Sequence, residues 1–423
     1  MSIIETLKAR CLLDNVTSEA LEQKLQNESL TFYVGFDPTA DSYHVGQLAV
    51  FNVMGLLQQA GHRPIALVGG ATGMVGDPGG KSKERNLLST ADIARNIEGQ
   101  QRQLQCFLDF SGERAATILN NHDWLGNWSY LEFLRDVGKH FSVNQMMVRD
   151  SVKSRLSREG DGISYTEFSY MLLQSYDFYY LCQHHQCTLQ IGGSDQWGNI
   201  VSGIDLTRRL MQKEVFGLTM PLVTKSDGTK FGKSEGGAVW LSAKKTSPFA
   251  FYQFFLRTED ADVSRMLKML TDIPLSEIDE LVATLDTQAH LRRPQQRLAE
   301  FLTLRVHGEA QLARVQRASQ AMYGGAITDL DDQTISQIFA DVPTYRIAPS
   351  QLNDGWLVLD ALVDSGACAS KSEARRLVSS GGAYINNQKI DDVSLALNQA
   401  HLASASYLVL RTGKRNYRLV VVE

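Results

Sequence analysis

The stretch Thr31 to Pro78 restricts the fold more than any other part of the 423-residue sequence. Thr31 to Val34 is short, β-branched and aromatic, so it reads as a buried strand. Gly35 to Tyr43 carries Gly, Asp, Pro, Thr and Ser, which is loop chemistry. From Gln47 to Ala60 apolar residues recur at helical spacing, with Val50, Val53, Met54 and Leu57 at i, i+3, i+4 and i+7. Gly61 suits the left-handed turn after such a helix. Pro64 to Val68 is a second apolar strand, and it opens into a Gly-rich loop, Gly69 to Gly80, that carries Asp77. Strand, loop, helix, strand is a βαβ unit, and it predicts an α/β fold with a parallel, Rossmann-like sheet. Ligands of such sheets sit at the carboxyl ends of the strands, near a helix N-terminus that attracts anions.

On these residues alone, any nucleotide-binding α/β domain fits. No G-x-G-x-x-G follows the first strand, and no G-x-x-x-x-G-K-[ST] occurs in the chain. In their place His44-Val45-Gly46-Gln47 stands at the start of the helix. Glycine there lets a flat base approach the backbone, and an imidazole there can meet a phosphate. A lone histidine at a helix start is more often a cap, so the weight of the quartet depends on partners elsewhere.

Those partners occur in order along the chain. His44-Val45-Gly46-Gln47 resembles the HIGH signature of class I aminoacyl-tRNA synthetases, with Gln47 in place of its last histidine. Lys230-Phe231-Gly232-Lys233-Ser234 resembles the KMSKS signature of the same class. Between them, Tyr170 to Asp177 and Gln190 to Asn199 resemble the amino-acid pocket of the tyrosyl-tRNA synthetases. The resemblance runs over nearly the whole chain and includes a C-terminal S4-like module.

It implies a two-step ligation of L-tyrosine to tRNA(Tyr), with ATP and Mg2+ and no covalent enzyme intermediate. The protein then has to align reactants and offset charge on phosphates, which calls for cations and donors rather than a nucleophilic Ser or Cys. By resemblance, Thr39, His44, Lys230 and Lys233 are the catalytic groups. Gly35, Gly46, Gln47, Lys81, Arg85 and Asp195 join His44, Lys230 and Lys233 around ATP, with Gly46 under the adenine and Asp195 on a ribose hydroxyl. Tyr33 and Asp177 resemble the pair that holds a phenol hydroxyl from both sides, one able to donate and the other only to accept. Asp37, Asp77, Tyr170, Gln174 and Gln196 surround the α-amino and carboxylate groups. Tyr170, Gln174 and Asp177 also share a helix face by spacing, at i, i+4 and i+7. A tryptophan-specific sister enzyme is disfavoured by Tyr33 with Asp177, because an indole only donates. A non-catalytic RNA-binding relative is disfavoured by the retained Thr39, His44, Asp195, Lys230 and Lys233. A small adenylyltransferase fails on length and on the tail.

Composition sets outer limits. Hydrophobic content of 43% and charged content of 21% are ordinary for a globular protein of two to three domains. No long apolar run suggests a membrane span, and the N-terminus lacks the pattern of a secretory signal, so the expected compartment is the cytoplasm. Five cysteines without paired C-x-x-C spacing argue against a disulfide framework or structural zinc. Trp356 to Glu423 holds eight Lys/Arg against six Asp/Glu, in a chain of net charge −5. That asymmetry fits a small RNA-binding tail. There Ser370 to Gly382 reads as a capped helix with a glycine stop, and Lys371, Arg375 and Arg376 are the expected tRNA contacts. Arg411, Lys414 and Arg415 form a basic turn in a final hairpin.

The expected domains are a catalytic domain over 1–222, interrupted at about 105–165 by a segment that the family uses in a homodimer interface. A KFGKS loop and α-helical domain follow over 223–323, then a linker over 324–350 and the S4-like domain over 351–423. Residues 1–30 read as helical, Thr90 as an N-cap, and Tyr165 to Tyr180 as one helix.

Overall fold

The computed structural model describes residues 1–77, 89–149, 152–153, 156, 162–229, 231–234, 237–322, 325, 327, 330–340, 342–413 and 416–423, with Thr90, Lys233, Ser234 and Met322 described by backbone only. The chain divides into two compact units, residues 1–245 with 256–306, and residues 246–255 with 307–423.

The first unit is built on six strands: β1 (Asn15–Val16), β2 (Thr31–Phe36), β3 (Arg63–Val68), β4 (Thr117–Asn120), β5 (Cys187–Gly193) and β6 (Phe216–Met220). Their order is β1-β6-β5-β2-β3-β4. All neighbours are parallel except β1, which runs antiparallel to β6. The apolar runs of β2 and β3 are almost wholly buried, as strands covered on both faces must be. Strand order reverses between β2 and β5, which makes their carboxyl ends the switch point where such sheets take ligands.

The helix Leu48–Gln59 joins β2 to β3 and is buried nearly all round, not only on one stripe. Phe51 stacks on Phe107 at 4.7 Å between ring centres. On the same helix, Asn52 donates to the carbonyls of Met269 and Thr271 at 3.0 and 2.9 Å. It therefore has neighbours beyond the sheet, at the end of the helix Asp260–Leu270. Gly61 follows with φ +106°, as its place after the helix predicts.

Several sequence expectations change here. Residues 1–30 are not all helical. Asn15–Val16 pairs with Thr219 and Leu218, because the open edge of β6 needs hydrogen-bond partners that a two-residue strand supplies without any periodic signal. The segment expected to interrupt the sheet from about 105 contains β4, which pairs along β3 from Ile65 to Val68. The helix expected over Tyr165 to Tyr180 runs from Tyr165 to His185, capped by Ser164 and ended by Gln186 at φ +54°. Ser89, not Thr90, caps the helix Thr90–Leu104, accepting from the Asp92 N–H at 3.1 Å.

A short hairpin, β7 (Lys233–Ser234) with β8 (Gly237–Ala238), closes the catalytic half of the sequence. The second unit carries β9 (Thr344–Ile347), β10 (Trp356–Leu357), β11 (Ala383–Ile385), β12 (Gln388–Lys389), β13 (Ala396–Leu397), β14 (Tyr407–Thr412) and β15 (Asn416–Val422). Five of these form a sheet in the order β12-β11-β14-β15-β9. Leu362, Ala374, Val378, Ala383, Leu408, Leu410 and Val420 make the core between the sheet and the helices Val358–Asp364 and Lys371–Ser379. Asn386 and Asn387, both at positive φ, turn β11 into β12.

Residues 324–350, expected as a linker, contain the helix Asp332–Ile338 and β9, which pairs parallel to β15. That pairing joins residues some 75 positions apart, and local pattern carries no trace of it.

Arg10 ties the N-terminal segment to the rest of the first unit. Its guanidinium is almost fully buried and donates to the carbonyls of Thr271 and Ile273, each at 2.8 Å. Burial pulls its pKa down, against the nearby charge of Asp272. Arg10→Met keeps the stem and removes the donors, so it is expected to cost about 2–3 kcal/mol of unfolding free energy, read as a lower urea midpoint.

Candidate active site

At the carboxyl ends of β2 and β5 lies a cavity of about 410 Å³. Tyr33 and Gly35 reach it from β2, and Asp37, Thr39, His44, Gly46 and Gln47 from the loop and turn that follow. Asp77 comes from the loop after β3, and Asp195 and Gln196 from the turn after β5. Tyr170, Gln174 and Asp177 come from one face of the helix Tyr165–His185, as their spacing predicts. Thus thirteen expected site residues line one cavity. Lys81, Arg85 and Lys230 lie outside the described residues, and Lys233 is described only by its backbone in β7.

One part of the cavity is built around Asp177, which is fully buried. Asn121 Nδ2 donates to its Oδ2 at 3.0 Å and Trp124 Nε1 to its Oδ1 at 2.8 Å. Burial pushes the Asp177 carboxyl up to about 7, against the pull of those two donors and with a further push from Asp37. Tyr33 is also fully buried, and its phenol is pushed up by burial first, then by Asp177 and Cys187. Its hydroxyl finds no hydrogen-bond partner among the described residues. A buried hydroxyl left in that state costs on the order of 1–3 kcal/mol, which is unusual enough to need a reason.

A second part is a chain of polar groups. Asn121 donates to Thr72 Oγ1 at 3.0 Å, and Thr72 donates to Asp37 Oδ1 at 2.9 Å. Tyr170 Oη donates to Asp37 Oδ2 at 3.1 Å. Across the cavity, Gln196 donates to Asp77 Oδ2 at 2.7 Å, while Asn199 donates to both Gln174 Oε1 and Gln196 Oε1. The result is two oriented carboxylates, Asp37 and Asp77, in the wall of a single cavity. Such a wall suits a small cation.

The third part is the His44 turn. The Gly46 N–H donates to His44 Nδ1 at 3.0 Å, so the neutral imidazole carries its proton on Nε2 and can donate from there. A Cβ on Gly46 would come within 2.7 Å of the same ring, so only glycine lets the turn close this tightly. The His44 N–H donates to Gln47 Oε1 at 2.9 Å. Gln47 therefore closes a capping box on its own helix start, a use the sequence comparison with a histidine did not suggest.

Thr72, Asn121 and Trp124 were missed in sequence, and Asn199 was given no role beyond ending the stretch Gln190 to Asn199. Asn121 and Trp124 do lie in a polar loop directly after a strand, Asn121-His122-Asp123-Trp124, and that position was the only available signal.

A model of class I tRNA synthetases (W and Y) matches residues 24–324, and one of the tyrosine–tRNA ligase SYY-like C-terminal domain matches residues 334–420. Over its whole length the chain is 50% identical to a tyrosine–tRNA ligase of Rhodopirellula baltica, covering 97% of that protein. It is 49% identical to one of Roseiflexus castenholzii, over 99% of both. The chain belongs to the tyrosine–tRNA ligases. A C-terminally truncated mitochondrial tyrosyl-tRNA synthetase of Aspergillus nidulans shares its fold, with a TM-score of 0.68 and 31% identity over 76% of this chain and 94% of that one.

The match to the C-terminal domain falls within the second unit. Its basic helix Lys371–Ser379 is capped by Ser370, and Arg375 and Arg376 are exposed there with no carboxylate partner among the described residues. Lys371 differs, because its ammonium pairs with Asp360. Lys414 and Arg415 lie outside the described residues. Among the described residues no helix is long and apolar enough to cross a membrane, and all five cysteines are free.

The hydrogen bonds to Asp177 make a direct prediction. Trp124→Phe removes one donor to the ionised form, so the Asp177 carboxyl should titrate above its present value of about 7. Carboxyl ¹³C shifts followed against pH would show the midpoint rise; an unchanged midpoint would mean that the indole does not hold the charge.

Proposed function

We infer that this tyrosine–tRNA ligase binds L-tyrosine with its phenol between Tyr33 and Asp177. The buried Tyr33 hydroxyl, without a partner among the described residues and beside a buried acceptor-only carboxylate, carries this reading. The Tyr33 O–H donates to the phenol oxygen, and the phenol O–H donates to Asp177. Phenylalanine would leave the buried Tyr33 hydroxyl without a partner and Asp177 one donor short, and tyrosyl-tRNA synthetase is itself the usual illustration of that cost. The ammonium lies against Asp37 and Asp77, held in turn by Tyr170, Gln174 and Gln196.

In the first step the tyrosine carboxylate attacks the α-phosphate of ATP, and pyrophosphate leaves. His44 donates from Nε2, and Thr39, Lys230 and Lys233 add donors and positive charge where charge gathers on the phosphates. Lys81 and Arg85 serve the β- and γ-phosphates, and Mg2+, entering with ATP, would offset phosphate charge there. Gly35 and Gly46 leave room for the nucleotide, with Asp195 accepting from a ribose hydroxyl. In the second step a ribose hydroxyl at the 3′ end of tRNA(Tyr) attacks the tyrosyl carbonyl, and AMP leaves. Arg375 and Arg376 bind the tRNA backbone.

Exposed Leu131, Val148 and Tyr165, at 76%, 70% and 62%, support a homodimer formed through the region 130–165. The compartment is the cytoplasm, where charged tRNA is used.

Exchange of labelled pyrophosphate into ATP, run with each of the twenty amino acids, is expected to respond to tyrosine alone. A response to tryptophan would overturn the pocket reading. In the same assay kcat/KM for tyrosine should fall as pH drops below about 7, since Asp177 then takes up a proton and loses its charge as an acceptor. Asp177→Asn should lack that limb of the profile.

Gln47→His is expected to change the ATP KM or turnover and to leave the tyrosine KM alone. Unaltered ATP constants would reduce residue 47 to a helix cap.

A further inference from the structure

The turn that carries His44 is bonded to the segment that leaves the KFGKS hairpin. The Val45 N–H donates to the Val239 carbonyl and the Leu241 N–H to the Tyr43 carbonyl, both at 2.9 Å. His44 and Trp240 face each other across this antiparallel bridge. The Val239 N–H donates in turn to the Gly232 carbonyl at 3.0 Å, so the bridge continues into β7 and β8. Packing is equally close, because a Cβ on Gly232 would lie 2.9 Å from Val45 Cγ2.

Side chains close the same link. The Trp240 indole meets the His44 imidazole edge to face, with ring centres 6.0 Å apart. Lys245 Nζ sits 4.7 Å from the centre of that indole and pairs with Asp41 at 2.5 Å. Asp41 lies in the loop that carries Thr39 and leads to His44. Trp240 is not among the residues that line the cavity. At the other end of the hairpin, the Ser226 N–H donates to Asp262 Oδ1 at 2.9 Å and Arg265 donates to the Thr224 carbonyl. Between these two anchors Gly228, Gly232 and Gly237 stand at φ +80°, +91° and +106°.

We propose that Trp240, braced by the Lys245–Asp41 pair, is a positioning residue that sets the tilt of the His44 ring and couples it to the KFGKS hairpin during tyrosine activation. The proposal rests on the reading of this cavity as the site of adenylate formation. The Gly46 N–H fixes the tautomer of His44, and the indole meets the ring edge to face beside that bond. The ammonium over the indole face keeps the indole in place. Because Val239 and Leu241 are bonded to Val45 and Tyr43, the His44 donor is held in register with the backbone of β7 and β8. Alignment of this kind acts on turnover rather than on tyrosine binding.

The test is tyrosine-dependent pyrophosphate exchange by the full chain. Trp240→Ala is expected to lower kcat by about tenfold or more with the tyrosine KM held within about twofold, and Trp240→Phe to recover most of the loss. Lys245→Met and Asp41→Asn should each lower kcat less, and the double variant no further than the worse single one. A folded Trp240→Ala protein with kcat within about twofold of the parent, or with its loss in the tyrosine KM instead, would overturn the proposal. Should Trp240→Ala not fold, the partly exposed Lys245 decides: an unchanged kcat in Lys245→Met overturns it, and a reduced kcat at unchanged tyrosine KM supports it. No exchange by the parent protein would overturn the reading of the site itself, which separates the two failures.

Discussion

A buried carboxylate sets the terms for the catalytic half of this protein. Asp177 sits where its charge is costly, and burial, with a smaller push from Asp37, raises its pKa to about 7 against the pull of two donors. It stays usable as an acceptor because Asn121 and Trp124 each donate to one of its oxygens. Those donors come from the chain just after β4, while Asp177 comes from the helix before β5. The carboxylate therefore fastens the two sides of the long crossover between β4 and β5. Trp124 is itself clamped, stacked on Tyr180 at 4.3 Å one turn further along the same helix as Asp177.

From that point the polar chain runs outward without a break. Asn121 reaches Thr72, Thr72 reaches Asp37, and Tyr170 reaches Asp37 from the same helix as Asp177. Each side chain in the chain is oriented by another, so recognition does not depend on single flexible groups. The His44 turn follows the same logic in backbone form. Its ring is fixed by the Gly46 N–H, its start by Gln47, and its flanks by the strand-like pairing with residues 239–241.

Much of this was legible in sequence because the signals are local. The βαβ unit followed from a period of 3.6 between two apolar runs. Tyr170, Gln174 and Asp177 shared a face because helical spacing requires it. Gly61 and Ser370 were readable as helix punctuation, each through its own chemistry. Three of the errors have one source. The strand Asn15–Val16, the strand Thr344–Ile347 and the sheet position of Thr117–Asn120 are all decided by partners remote in the chain. Short segments carry too little periodicity to announce such pairing.

The sequence by itself determined the α/β class, the order of the motifs and the residue types that tyrosine activation requires. Tertiary structure alone decided which carboxylate is buried and which is only oriented, which nitrogen of His44 carries the proton, and that Lys371 spends its charge on Asp360. It also decided that Asn121 and Trp124, unremarkable in a polar loop, hold the acceptor at the centre of the site. The reason is physical: residue type fixes what a group can donate or accept, but desolvation and hydrogen-bond partners, which set its charge and direction, exist only once distant segments have packed together.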